Sequence, residues 1–173
     1  TCVISGAANV GVIWQGQCQN QTFSGASLLL TFSGSTSSST AYKHLTTVAG
    51  ASFRDNANVQ TNALHYNTAN GVAITQSGVN NETITTSEGA VRLSGLQIAA
   101  TGTGGRAFTD TAGGVGTYDF NIFEGTYVGT SATLGVISTT NTKTVRNCLV
   151  IQRATAADHI VGTGTSSTAY TNC

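Results

Sequence analysis

Apolar and polar positions alternate along this chain in runs of three to five residues, and no segment holds a helical period for three turns. Val72-Ala73-Ile74, Leu96-Gln97-Ile98, Phe120-Asn121-Ile122 and Cys148-Leu149-Val150 each read as a short strand. About ten residues later each is followed by a second apolar pivot: Ile84, Phe108, Leu134 and Ile160. A third run closes the unit: Ala90-Val91-Arg92-Leu93, Val115-Gly116-Thr117-Tyr118, Thr144-Val145-Arg146 and Thr168-Ala169-Tyr170. The links between them are turn chemistry, such as Ser77-Gly78, Ala112-Gly113-Gly114 and Thr163-Gly164-Thr165. Nearer the start, Val10-Gly11-Val12-Ile13-Trp14 and Leu28-Leu29-Leu30-Thr31-Phe32 read as the second strand of the first and second units.

These units repeat. Thr1, Thr22, Thr47, Gly71, Gly95, Asp119, Asn147 and Asn172 form one column of small or turn-forming residues. The residues that follow them, Cys2, Phe23, Val48, Val72, Leu96, Phe120, Cys148 and Cys173, form an apolar column. A step of 21 to 28 residues is a solenoid period. Eight marks make seven turns, a rod of roughly 34 Å at about 4.8 Å per turn. In this register Phe120 and Ile122 point inward, while Asn121 and Phe123 point outward. An antiparallel sandwich also has evenly spaced short strands, but it does not place equivalent residues one full repeat apart.

Three strands per turn, turns of about 24 residues and stacked like residues resemble the right-handed parallel β-helix of the pectate-lyase-like superfamily. The resemblance covers nearly the whole chain, best from Gly71 to Cys173, and brings no diagnostic catalytic motif. The Asn-Cys turns at Asn147-Cys148 and Asn172-Cys173 look most like the repeats of bacteriophage virion and bacterial surface proteins. The resemblance implies an all-β, right-handed parallel β-helix, a single domain over 1–173 and a place on the virion surface or outside the cell. It also implies a homo-oligomer, with trimers common among such spikes. The chain starts without Met and stops at the same phase of the turn at which it starts, which reads as a processed part of a longer polypeptide.

Composition narrows the partners. Lys plus Arg number 7 and Asp plus Glu number 7, so no electrostatic pull toward nucleic acid or an anionic membrane is expected. No apolar run reaches the roughly 18 residues of a membrane span. Ser, Thr, Asn and Gln are abundant at the outward positions, which with the low charge suits polar contacts with a glycan or another protein. Proline is absent, as stacked strands prefer.

Candidate chemistry is thin. Stacked Asn147 and Asn172, with Asp119 in the same column, predict a side-chain ladder along one corner. Cys148 and Cys173 stand one turn apart, either as a disulfide or as two thiols packed as small hydrophobes. Cys2 and Cys18 flank the first turn and could pair as well. No cysteine spacing completes a metal site, and no cofactor is expected. The carboxylates Asp55, Glu82, Glu88, Asp110, Asp119, Glu124 and Asp158 form no evident acid/base pair, so catalysis is not expected. Asn20-Gln21-Thr22 and Asn81-Glu82-Thr83 match the glycosylation pattern by chance in so Thr-rich a chain. Outward Phe123, Leu149 and Ile151 predict an apolar strip for a partner chain.

The function expected is a non-enzymatic structural or receptor- and glycan-recognition module of a phage tail, fibre, spike or capsid decoration. A polysaccharide-degrading lyase or hydrolase and a bacterial adhesin are the alternatives. An ice-binding face is a minor one. Its outward rank on the second strand, Thr83, Thr85, Ala107, Thr109, Thr133, Gly135, His159 and Val161, is broken by Ala, His and Val.

Overall fold

In the computed structural model, which describes residues 2–4, 12–56, 65–127, 136–139, 142–153, 161–163 and 168–173, the strands coil into a parallel β-solenoid. Sheet A stacks β1 (Cys2–Ile4), β4 (Leu30–Phe32), β7 (Glu82–Thr86), β10 (Arg106–Asp110), β13 (Ile137–Thr139) and β16 (Val161–Thr163). Sheet B stacks β2 (Trp14–Cys18), β5 (Lys43–Thr47), β8 (Val91–Ser94), β11 (Gly116–Asp119), β14 (Lys143–Arg146) and β17 (Ala169–Thr171). Sheet C stacks β3 (Thr22–Gly25), β6 (Ala73–Gln76), β9 (Gln97–Ala100), β12 (Ile122–Gly125) and β15 (Leu149–Gln152). Every pairing is parallel, as in Ile98 beside Ile74 and Phe123 beside Ile98. Each turn runs A, B, C. No turn can bury its apolar face alone, so stacking is what makes the strands stable.

Alternation fills the lumen with columns of like residues. Sheet C contributes Phe23, Ile74, Ile98, Phe123 and Val150, which lie side by side in register. Sheet A contributes Leu30, Ile84, Phe108 and Ile137, and sheet B contributes Leu45, Leu93, Tyr118 and Val145. Phe108 meets Tyr118 edge-on at 4.7 Å and Phe123 at 6.1 Å between ring centroids, so one aromatic cluster ties all three sheets together in the fourth turn.

The number of turns is about five rather than seven. Thr47-Val48 and Gly71-Val72 are not successive turns. They are the two ends of one insert at one corner, between β5 and β6. Ala51 N donates to Val48 O, and Val72 N donates back to Ala51 O at 2.9 Å, which closes the excursion. The insert carries a short helix α1 (Phe53–Asn56) and a 3-10 turn at Thr68–Asn70. Gly71, at φ 125°, is required there, because a Cβ would sit 2.4 Å from Ala51 O. Thr1-Cys2 and Thr22-Phe23 also fall outside the corner column: Cys2 begins a sheet A strand and Thr22 a sheet C strand. Trp14 opens a sheet B strand and so does not share the sheet A strand type of the pivots Ile84 and Phe108 with which its pattern groups it. In the fifth turn the sheet A pivot is Ile137, and Leu134 lies outside the described residues.

The register of the fourth turn is one residue away from expectation. Phe120 stacks with Gly95 and Asn147, and Asn121 takes the inward place beside Leu96 and Cys148. Phe123 therefore points into the core, fully buried, while Phe120 sits half-buried at the corner. Asp119-Phe120 imitates the turn-then-apolar pair of its neighbours, although the corner residue is Phe120. Asn121 is tolerated inside because it is fully bonded: its Oδ1 accepts from Leu96 N at 3.1 Å and its Nδ2 donates to Leu93 O at 3.0 Å.

Candidate functional site

The corner between sheets B and C has an unusual backbone. Gly95, Phe120, Asn147 and Asn172 all have positive φ, from 52° to 75°. Glycine and asparagine enter this left-handed region readily, whereas a bulky phenylalanine there is an outlier that costs about 1 kcal/mol. What holds Phe120 is the insert. The Arg54 guanidinium lies over its ring, 3.7 Å from the centroid. Around this pair the insert and the corner enclose a polar notch of about 190 Å³, lined by Thr46, Thr47, Ser52, Arg54, Asp55, Ser94, Gly95 and Phe120. Ser52 pins the insert to the coil by donating from Oγ to Gly95 O at 3.2 Å. On sheet B beside the notch, Ser94 Oγ donates to Thr46 Oγ1 at 2.9 Å and lies 2.8 Å from His44 Nε2. Burial and then the Arg92 charge hold His44 below the usual imidazole pKa.

Most other charges among the described residues are spent in ion pairs, two of them buried. Lys43 and Glu88 form a buried pair at 3.0 Å, with Ser35 donating to Glu88 from N and Oγ. Lys143 and Asp110 form a second at 3.0 Å, with Tyr118 Oη donating to Asp110 and Lys143 Nζ donating to Ala112 O and Gly114 O. Gly116 makes room for this group, since a Cβ there would fall 2.4 Å from the Tyr118 oxygen. Burial raises the Asp110 pKa against the opposing pull of Tyr118 and Lys143. Glu82 pairs with Arg106, Asp119 with Arg146 and Glu124 with Arg153. Among the described residues, Asp55 is the one carboxylate outside an ion pair, and Asp158 lies outside those residues with its neighbour His159. Among the described residues no two carboxylates are thus left outside ion pairs to act together as acid and base. The described residues also hold no group of three potential metal ligands.

Asn172 Nδ2 donates to Asn147 Oδ1 at 3.2 Å, and Asn147 Nδ2 donates to Asp119 Oδ1 at 3.0 Å, a ladder across three turns. Cys148 is buried and Cys173 exposed, both as free thiols. Burial pushes the Cys148 pKa up to about 12. Cys18 is half-buried against a cavity of about 300 Å³ in the first turn, lined by Phe23, Leu29, Leu45 and Ile74, and only the backbone of Cys2 is described. The expected strip of Phe123, Leu149 and Ile151 is not one strip. Phe123 faces the lumen, whereas Leu149 and Ile151 are half-buried on the outer side of β15. The expected water-facing rank also breaks up. Thr83 is buried and donates to Ala99 O, and Ala107 belongs to the core, while Thr133, Gly135 and His159 lie outside the described residues.

Arg54 and Phe120 were not legible as site residues. The available signal was a Phe at a corner column whose other members are Gly and Asn. No protein-family model, curated protein or solved structure matches the chain. Among the described residues no helix is long and apolar enough to cross a membrane.

Proposed function

We propose that this β-solenoid is a non-enzymatic structural and recognition module, built to hold a polar surface rigidly in front of a glycan or protein partner. The observation that carries the reading is the commitment of five carboxylates to ion pairs, which leaves Asp55 alone among those described. Hydrolysis of a glycosidic bond needs two carboxyl groups flanking one position, and lyase chemistry needs a base with a cation near it. Neither arrangement is assembled among the described residues. The polar notch at the B–C corner, standing on rigid stacked strands, is suited to binding instead.

In this reading the module belongs to a phage tail, fibre, spike or capsid decoration of the pectate-lyase-like β-helix type, exposed outside the cell, and what supports it is the resemblance of the Asn-Cys repeat turns to such proteins. There it assembles with copies of itself or other virion chains, with outer Leu149 and Ile151 as contact residues. The test is to incubate the purified protein with a panel of bacterial surface polysaccharides and separate the products by size. Retention of intact polysaccharide on immobilised protein supports the reading. Shortened chains would replace it with an enzyme.

A further inference from the structure

We infer that the notch between α1 and the B–C corner is a subsite for one uncharged, hydroxyl-rich ring, the size and chemistry of a single neutral hexose unit. This rests on the recognition reading above and gives it an address and a ligand class.

Two independent features meet in this notch. The first is local strain. Phe120 is held at φ 52°, where its column neighbours are Gly95, Asn147 and Asn172. A bulky residue in that region persists only where its surroundings over-determine it, and such outliers cluster at sites that do something. Here the strain presents an aromatic ring at the notch where asparagine would present an amide. The second feature is charge left uncommitted. Arg54 and Asp55 are neighbours in the same short helix and both line the notch. Asp55 makes no ion pair, although Glu82, Glu88, Asp110, Asp119 and Glu124 all do. The Arg54 guanidinium is fixed by its stack on Phe120, and its side chain makes no ion pair either.

Together these groups select a ligand. A stacked guanidinium presents a rigid fork of donors in its plane, and a carboxylate presents acceptors. A hydroxyl both donates and accepts, so adjacent ring hydroxyls satisfy the two at once. Thr46, Thr47 and Ser94 add hydroxyls at the floor, and Phe120 adds an apolar surface for ring C–H groups. An anion would meet Asp55 and a cation would meet Arg54, so a neutral ligand fits best. A volume of about 190 Å³ holds one ring rather than a chain, which makes the notch one contact point along a longer glycan.

The experiment is saturation-transfer NMR of the whole protein with methyl glucoside, methyl galactoside and methyl mannoside, followed by titration observed at the backbone amides. The expected result is saturation of at least one hexoside, with shifts centred on Thr46, Thr47, Asp55, Ser94 and Phe120. Asp55→Asn and Arg54→Ala should each weaken binding at least about tenfold, the loss that goes with one charge-assisted hydrogen bond. Phe120→Gly, which suits the left-handed backbone, should fold and bind more weakly. Saturation by none of the three hexosides overturns the inference. If intact polysaccharide is still retained in the panel assay, the recognition reading survives and the ligand class assigned to the notch is wrong. Hexoside binding that persists unchanged in Asp55→Asn and Arg54→Ala also overturns it, by moving the site elsewhere.

Discussion

Replacing Phe123 by Ala and Phe120 by Gly should give opposite outcomes, although the two residues are three apart in one corner-strand unit. Phe123 is fully buried in the sheet C column between Ile98 and Val150 and packs against Phe108. Truncation removes a ring whose transfer is worth about 2–3 kcal/mol and leaves a cavity among stacked strands that cannot collapse without breaking register. The expected cost is about 3–5 kcal/mol. Phe120→Gly loses the stack with Arg54, worth about 0.5–1 kcal/mol, and adds about 0.5–1 kcal/mol of chain entropy to the unfolded state. Against this it relieves about 1 kcal/mol of left-handed strain. The net change should stay within about 1 kcal/mol. Equilibrium unfolding in urea, followed by far-UV circular dichroism, measures both. A Phe123→Ala cost below about 1 kcal/mol, or a Phe120→Gly cost as large as that of Phe123→Ala, would refute the register of the fourth turn.

Further outcomes follow from the same geometry. Glu88 is desolvated by burial, but hydrogen bonds from Ser35 and Lys43 and the Lys43 charge outweigh this and hold its pKa below the ordinary value. Its contribution to stability is therefore present above the unfolded Glu pKa and is lost as pH falls through the lower folded value; Glu88→Gln should flatten that part of an acid melting profile and cost about 3–5 kcal/mol at neutral pH by stranding Lys43. The lowered pKa of His44 predicts that stability is full above the ordinary imidazole pKa and declines as pH drops below it, and a melting profile of His44→Gln lacking this slope would confirm the source. In native protein at neutral pH a maleimide should label Cys173 quickly and Cys148 only on the timescale of unfolding, because Cys148 is buried with a pKa of about 12; equal rates at the two would count against the stacking of β17 on β14. Asn147→Gly should cost less than Asn147→Ala in urea, since both lose the bonds to Asp119 and Asn172 but only Ala is strained at φ 53°.

The solenoid was legible because its causes are repetitive. Ile74, Ile98 and Val150 announce a lumen column, and Leu93, Tyr118 and Val145 another, by plain alternation. Asn147 over Asn172 was readable for the same reason. What failed was counting where a local pair mimicked the repeat. Thr47-Val48 and Gly71-Val72 look like successive turns because a turn followed by an apolar residue is what any chain needs on leaving or rejoining a coil. Asp119-Phe120 carried the same disguise, and it reversed the assignments of Phe120 and Phe123. The buried pairs were invisible for a different reason. Lys43 and Lys143 occupy the sheet B column of Val91 and Gly116, an apolar-looking position, and nothing local indicates that Glu88 and Asp110 reach them across a corner. The notch required knowing that Arg54, on an insert, returns to lie over Phe120 far along the chain.

That insert departs from the corner after β5 and returns to it before β6, while β5 still pairs with β8 and β6 with β9 as if nothing intervened. Contour length and axial rise are thereby uncoupled. Loop closure grows only logarithmically with length, about 0.6 kcal/mol for each doubling. A corner of this kind can lengthen, shorten or exchange its insert at little thermodynamic expense, provided the returning residue fits beneath the Ala51 carbonyl as Gly71 does. The surface at this corner can therefore be rewritten through one excursion while the coil beneath keeps its pitch.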